Sequence, residues 1–309
     1  MPEIVTEEIP ESLAGERLDR VVSLIAEISR SDAAITIASG AVQLDGAIAS
    51  IGKLRLKVGQ VVSVDLSKLP QVELPGPDPS VLVDIVYVDE HIIVVNKAAG
   101  VVVHPGAGNM ERTLVNGLLA LYPEISSVGE EHRPGIVHRL DIGTTGLLIV
   151  ARTQEAYEEL VAMMSLREVK RHYLALVWGH PSAPMGTIDA PIGRDPRDPL
   201  RMAVVASGKP ARTNYEVLVT FPEPEVSLVA CELETGRTHQ IRVHLQATGH
   251  PVVGDPNYGG ARAPLVLGRP FLHAERLVFD HPITGEPLTF EVPLPADLQV
   301  ALDRCQQDV

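Results

Sequence analysis

Residues 135–153 read GIVHRLDIGTTGLLIVART, and the stretch changes character halfway along. From Gly146 to Thr153 it is a mostly apolar run rich in branched side chains, which predicts a buried strand. Its first half ends on Asp141, set between His138-Arg139-Leu140 and a loop of Gly143, Thr144 and Thr145. A carboxylate at such a junction is held by rigid scaffold yet open to a substrate. The same composition also fits a turn aspartate bonded to nearby backbone N–H groups.

On the N-terminal side of this stretch, VLVDIVYVDEHIIVVNKAAG (81–100) gives two strands joined near Asp89-Glu90, and TLVNGLLALYP (113–123) a helix. On the C-terminal side, QEAYEELVAMMSLR reads as a helix, and RHYLALVWG, ARTNYEVLVTF and VSLVACELETG as strands. THQIRVHLQATG is a helix that Thr238 is placed to cap, and LVFDHPITGEPLTFEV a hairpin. Strands come in groups without strict βαβ alternation, which predicts an α+β domain on a mixed, mostly antiparallel sheet.

The chain divides near residue 75, where KLPQVELPGPDPS packs four prolines and a glycine into a short polar stretch. The expected division is an extension at 1–13, a small domain at 14–70, a linker at 71–80 and a large domain at 81–309. In the small domain Leu18, Val21, Val22 and Ile25 share one helical face. Ser31 or Asp32 fits the N-cap of a second helix and Gly40 its end. Asp45-Gly46 is strong hairpin chemistry.

The 309 residues carry a formal net charge of −14, which excludes a generally basic nucleic-acid binder but leaves room for a local basic groove. Two cysteines are too few for a disulfide framework. No apolar run approaches the roughly 20 residues needed to span a bilayer, and the acidic N-terminus does not read as a secretory signal. The expectation is a cytoplasmic, monomeric protein. No phosphate-binding glycine loop, HExxH or CxxC is present.

Two further segments bear chemistry. LETGRTHQIRVHLQATGHPVVGDPNYGG (233–260) places Gln240, Arg242 and His244 on one helix, and KRHYLALVWG puts Tyr173 at the head of a strand. Singly, these read as a solvated helix face and a core tyrosine. Together, in this order, HRLD, the Tyr-headed strand, GRTHQIRVHL and GHPVVGDPNYG resemble the RluA/RluD family of pseudouridine synthases. The resemblance extends to NKAAGVVVHP (96–105), where Ala98 replaces the family's proline, and covers about residues 80–295. Residues 14–66 resemble the small α-L, S4-like RNA-binding module that many members carry in front.

The resemblance implies an isomerase that turns specific uridines of RNA into pseudouridine, with ribosomal RNA of the large subunit as the foremost target and tRNA as the other. It implies Asp141 as nucleophile, Arg242 as its cationic partner and Tyr173 as the residue against the base. Arg139 matches the residue that fills the gap left by a flipped base, and His138, Thr145, His239 and Gln240 belong to substrate binding. The reaction consumes no water and moves no electrons, so no cofactor or metal is expected. Arg167, Lys170, Arg171, Arg194, Arg197 and Arg201 are further cationic candidates for a phosphate path. A rival from another class is a glycoside or nucleoside hydrolase pairing Asp141 with Glu234 or Asp255 across about 5–10 Å; another is a non-catalytic RNA-binding factor.

Overall fold

The computed structural model describes residues 3–28, 30–69, 74–106, 111–198 and 201–307. It divides into two compact units, residues 1–73 and 74–309. The first contains β1 (Ile4–Glu8), α1 (Leu18–Ile25), α2 (Arg30–Ala38), β2 (Val42–Leu44), β3 (Ala47–Ile48) and β4 (Val61–Asp65). Its antiparallel sheet runs β1-β4-β2-β3 over a core that includes Leu18, Val21, Val22 and Ile37. Asp45 and Gly46 both take positive φ, 51° and 79°, as the two-residue turn between β2 and β3 requires.

Two boundaries differ from the sequence reading. Residues 4–9, expected in an extension, instead belong to the small unit, since β1 pairs with β4 along all five residues and Ile9 is buried in the core. The cause is an edge strand, IVTEE, too polar to show alternation. The second helix begins at Arg30, so Asp32 lies inside its first turn rather than at its cap. Of the expected linker, residues 71–73 lie outside the described residues. Beyond them, Asn116 donates to the Gly76 carbonyl at 2.7 Å and the Asp78 N–H to the Asn116 carbonyl at 2.8 Å.

The second unit contains β5 (Ile85–Val88), β6 (Ile92–Lys97), α3 (Leu114–Leu121), β7 (Thr145–Ala151), α4 (Gln154–Leu166), β8 (Lys170–Trp178), β9 (Met185–Asp189), β10 (Ile192–Arg194) and β11 (Met202–Val204). There follow β12 (Arg212–Phe221), β13 (Val226–Leu233), α5 (Gln240–Ala247), β14 (Leu272–Asp280), β15 (Pro287–Glu291) and α6 (Ala296–Gln307). The main sheet runs β5-β6-β7-β14-β8-β13-β12-β9, with β15 also on β14. Every pairing is antiparallel except β7 with β14, so the sheet is mixed and the unit α+β.

The sheet is covered on both faces, which is why β7 is buried at all seven residues. Period-two alternation sends Ile93, Val95, Leu148 and Val150 into a core shared with α3, α5 and α6. Ile92, Val94, Leu147 and Ile149 face the other way, into a core shared with α4. Thr153 caps α4 by accepting from the Ala156 N–H at 3.3 Å. Gly146 is where β14 comes closest: a Cβ there would lie 2.1 Å from the Ala274 carbonyl oxygen.

Candidate active site

Asp141 lies just before β7, on a turn closed by the Thr144 N–H donating to the Asp141 carbonyl at 3.1 Å. Three donors fix this loop from outside. The Gly100 N–H reaches the Ile142 carbonyl at 2.8 Å, Lys97 Nζ reaches the same oxygen at 3.4 Å, and Arg269 Nη1 reaches the Gly143 carbonyl at 3.0 Å. Lys97 is almost wholly buried and also bonds the Ala98 and Val101 carbonyls, both at 2.8 Å. Burial pulls its pKa down to about 7, while the Asp141 charge opposes the shift.

Arg242 comes to Asp141 from α5. The helix is buried from Gln240 through Leu245, not the solvated face that its polar composition suggests. Its N-cap is His239, in the left-handed region at φ 59°, so Thr238 does not cap it. Arg242 Nη1 donates to Asp141 Oδ2 at 3.1 Å. Its Nε and Nη2 donate to Asp255 Oδ2 and Oδ1 at 2.6 and 2.9 Å. The side chains of Arg242, Asp141 and Asp255 are 6%, 16% and 0% exposed. Burial disfavours the Arg242 charge, but the Asp255 hydrogen bonds and the two carboxylate charges outweigh it and raise its pKa. Tyr258 completes this corner, with the Arg242 guanidinium 5.0 Å from its ring centroid and its hydroxyl 2.7 Å from His239 Nδ1.

Tyr173, near the start of β8, is buried and lines the same cleft. Burial pushes its phenol pKa up to about 12; Arg171 works against the rise and Asp141 adds to it. Asp141 is the only carboxylate among the described residues lining this cleft, against four arginines: 139, 171, 237 and 242.

The sequence-derived set is thus only partly assembled here. Asp141, Tyr173, Arg242, Arg139, His239 and Gln240 line the cleft. The Gln240 side chain, however, is engaged internally, bonding Thr235, the Arg237 N–H, the Arg212 carbonyl and Thr213. Thr145 is not in the lining; its hydroxyl bonds His273 Nδ1 at 2.8 Å, and Thr144 takes the lining place. His138 is spent on scaffold, its Nε2 accepting from the Ile149 N–H at 3.0 Å. The carboxylates proposed for a hydrolase are committed elsewhere: Asp255 to Arg242, and Glu234 to Arg167 and Arg212. Lys97 is the part of the site that sequence reasoning did not assign; Arg171 was expected only as a phosphate-path cation and Asp255 only as a hydrolase's second carboxylate, not as the acid that holds Arg242.

Residues 91–247 match the family described as RNA pseudouridylate synthase. The chain is 47% identical to an uncharacterized RNA pseudouridine synthase of Chloroflexus aurantiacus, covering 96% of this chain and 92% of that one. It is 45% identical to ribosomal large subunit pseudouridine synthase D of Nitrosomonas europaea, over 95% of this chain and 86% of that one. Among solved structures, human RNA pseudouridylate synthase domain containing 1 is similar at a TM-score of 0.58 and 30% identity, covering 75% of this chain and 96% of that one. The chain belongs to the RNA pseudouridylate synthase family, and it is an RNA pseudouridine synthase, an isomerase.

Proposed function

We propose that this enzyme modifies specific uridines of large-subunit (23S) ribosomal RNA in the cytoplasm, with Asp141 as nucleophile on a uridine flipped out of its stack. The observation that carries the mechanism is the lone carboxylate in an arginine-lined cleft. Glycoside hydrolysis by paired carboxylates finds no second acid among the described residues lining it. Isomerisation needs one: N1–C1′ breaks, the uracil turns, C5–C1′ forms, C5 gives up its proton and N1 regains one. Attack by Asp141 on the ribose C1′ or on the base C6 both use the same carboxylate.

Arg242 orients Asp141 by charge and one hydrogen bond. Tyr173 stands against the base, where its hydroxyl serves removal of the C5 proton. Arg139, exposed and two residues before Asp141, offers a planar cation to fill the space the base leaves. Relatives named for the large ribosomal subunit favour rRNA as target. The small N-terminal unit is read as an S4-like module that places the RNA. It carries seven Lys/Arg against ten acids over residues 1–70, too few cations for a main phosphate grip.

The test is pseudouridine mapping of 23S rRNA and tRNA from cells lacking the gene and complemented with wild type or Asp141→Asn. Wild type should restore discrete 23S sites and the variant none. Sites restored only in tRNA would overturn the target, and restoration by an Asn variant shown not to have deamidated would overturn the nucleophile.

A further inference from the structure

The Asp141 cleft continues into a second one, with Arg139, Arg171, Gly236 and Arg237 lining both. The second is roomy, about 570 Å³, within the roughly 300–1,000 Å³ typical of sites for ligands of nucleotide size. One wall is α4, which presents Val161, Met164 and Ser165 at helical spacing. The turn after β13, Glu234 to Arg237, also lines it.

Its charge is opposite to that of the chain. Five arginines and two glutamates line it, in a protein of net charge −14. The glutamates are taken, Glu130 by Arg133 and Glu234 by Arg167. Among the described residues Arg139, Arg171 and Arg237 have no carboxylate partner.

Arg171 is the independent pointer to a ligand. It is 6% exposed, yet its guanidinium makes one long bond, Nη2 to the Leu233 carbonyl at 3.4 Å, and its Nε bonds nothing. A buried cation left so poorly matched is costly unless an anion completes it. A guanidinium's donors fit phosphate oxygens in pairs.

We propose that this second cleft binds the nucleotide adjoining the target uridine, with its phosphodiester against Arg171 and Arg237 and its sugar along the α4 wall. The inference rests on the RNA-modifying reading of the Asp141 cleft and adds a grip on the neighbouring nucleotide that sets which uridine enters.

Val161 and Ser165 are exposed helix positions where glutamate is tolerated. Three full-length proteins are compared on in vitro transcribed 23S rRNA: wild type, Val161→Glu/Ser165→Glu and Val161→Gln/Ser165→Gln. The Glu pair should raise KM by about tenfold at 0.1 M salt, with the gap closing as salt screens the path. The Gln pair should stay within about threefold of wild type, since only charge was added in the other. Equal KM for all three across salt, with unchanged melting temperatures, would overturn the proposal, as would a Gln pair as impaired as the Glu pair. Wild type that made no pseudouridine in this transcript would instead count against the rRNA reading.

Discussion

Arg242 gives the two-pronged edge of its guanidinium to Asp255, at 2.6 and 2.9 Å, and only the remaining Nη1 to Asp141, at 3.1 Å. Asp255 is itself held, its Oδ1 accepting from the Asn257 and Tyr258 N–H groups at 2.9 and 3.3 Å. The guanidinium's fork is therefore spent on a buried acid behind it. Asp141 meets a single aimed donor and keeps most of its oxygen lone pairs for substrate.

Asp255→Asn should therefore lower kcat by about 10²-fold, because a misplaced positioning group costs on that order. The effect on KM should be small. Arg242→Lys should fall further, since one ammonium cannot satisfy both acids. Steady-state kinetics of both variants on one RNA decide it: full activity in Arg242→Lys would show that charge alone suffices.

For Tyr173→Phe, loss of the hydroxyl should cut kcat by about 10²–10⁴-fold, the range for a positioned proton-transfer group. Because the folded phenol holds its proton to about pH 12, wild type should show no alkaline break from this group between pH 7 and 10. An ionisation near pH 8 to 9 in the kcat profile that vanished in Tyr173→Phe would contradict the buried phenol.

His138 supplies an acid limb to stability. Its Nε2 accepts from a backbone N–H, so the ring must be neutral, and burial, with Arg171 adding, depresses its pKa to about 3. The unfolded ring takes a proton near 6.5. Its contribution is thus complete above pH 6.5 and is lost as pH falls towards 3, by up to about 1.4 kcal/mol per pH unit. The stability gap between wild type and His138→Gln should narrow by that slope from pH 6 to 4 in urea titrations. A constant gap would mean the ring protonates in place.

If Arg139 occupies the place of the flipped base, Arg139→Ala should hurt a rigid stem-loop far more than an unstructured oligonucleotide, since only the former bears an unstacking cost of a few kcal/mol. Single-turnover rates at saturating enzyme measure this. Equal losses on both would assign Arg139 to chemistry or scaffold.

Much of the frame was legible because long apolar periods and turn dipeptides report local physics directly. β7 and α4 are cases, as is the Asp45-Gly46 turn. β9, β10 and β11 were missed because they are short and half-exposed, and α6 because its apolar face, Leu298, Ala301 and Leu302, is diluted by polar residues. In the site, the contact between Asp141 and Arg242 spans 101 residues, and family resemblance brought them together. The same resemblance says nothing of where donors end up. Gln240 and Thr145 look like substrate ligands in sequence, yet their neighbours Thr213 and His273 claim them.

The parallel seam between β7 and β14 has a temporal side. Thr145 and His273, bonded across it, lie 128 residues apart in the chain. At the roughly 5–20 residues per second of translation, β7 waits about 6–25 s for its neighbour. Until Leu272–Asp280 is made, the future sheet is two separate leaves, each with an open edge beside buried-type residues. The loop bearing Asp141 therefore gains its Arg269 bond and its β14 neighbour only after about 130 further residues have been made.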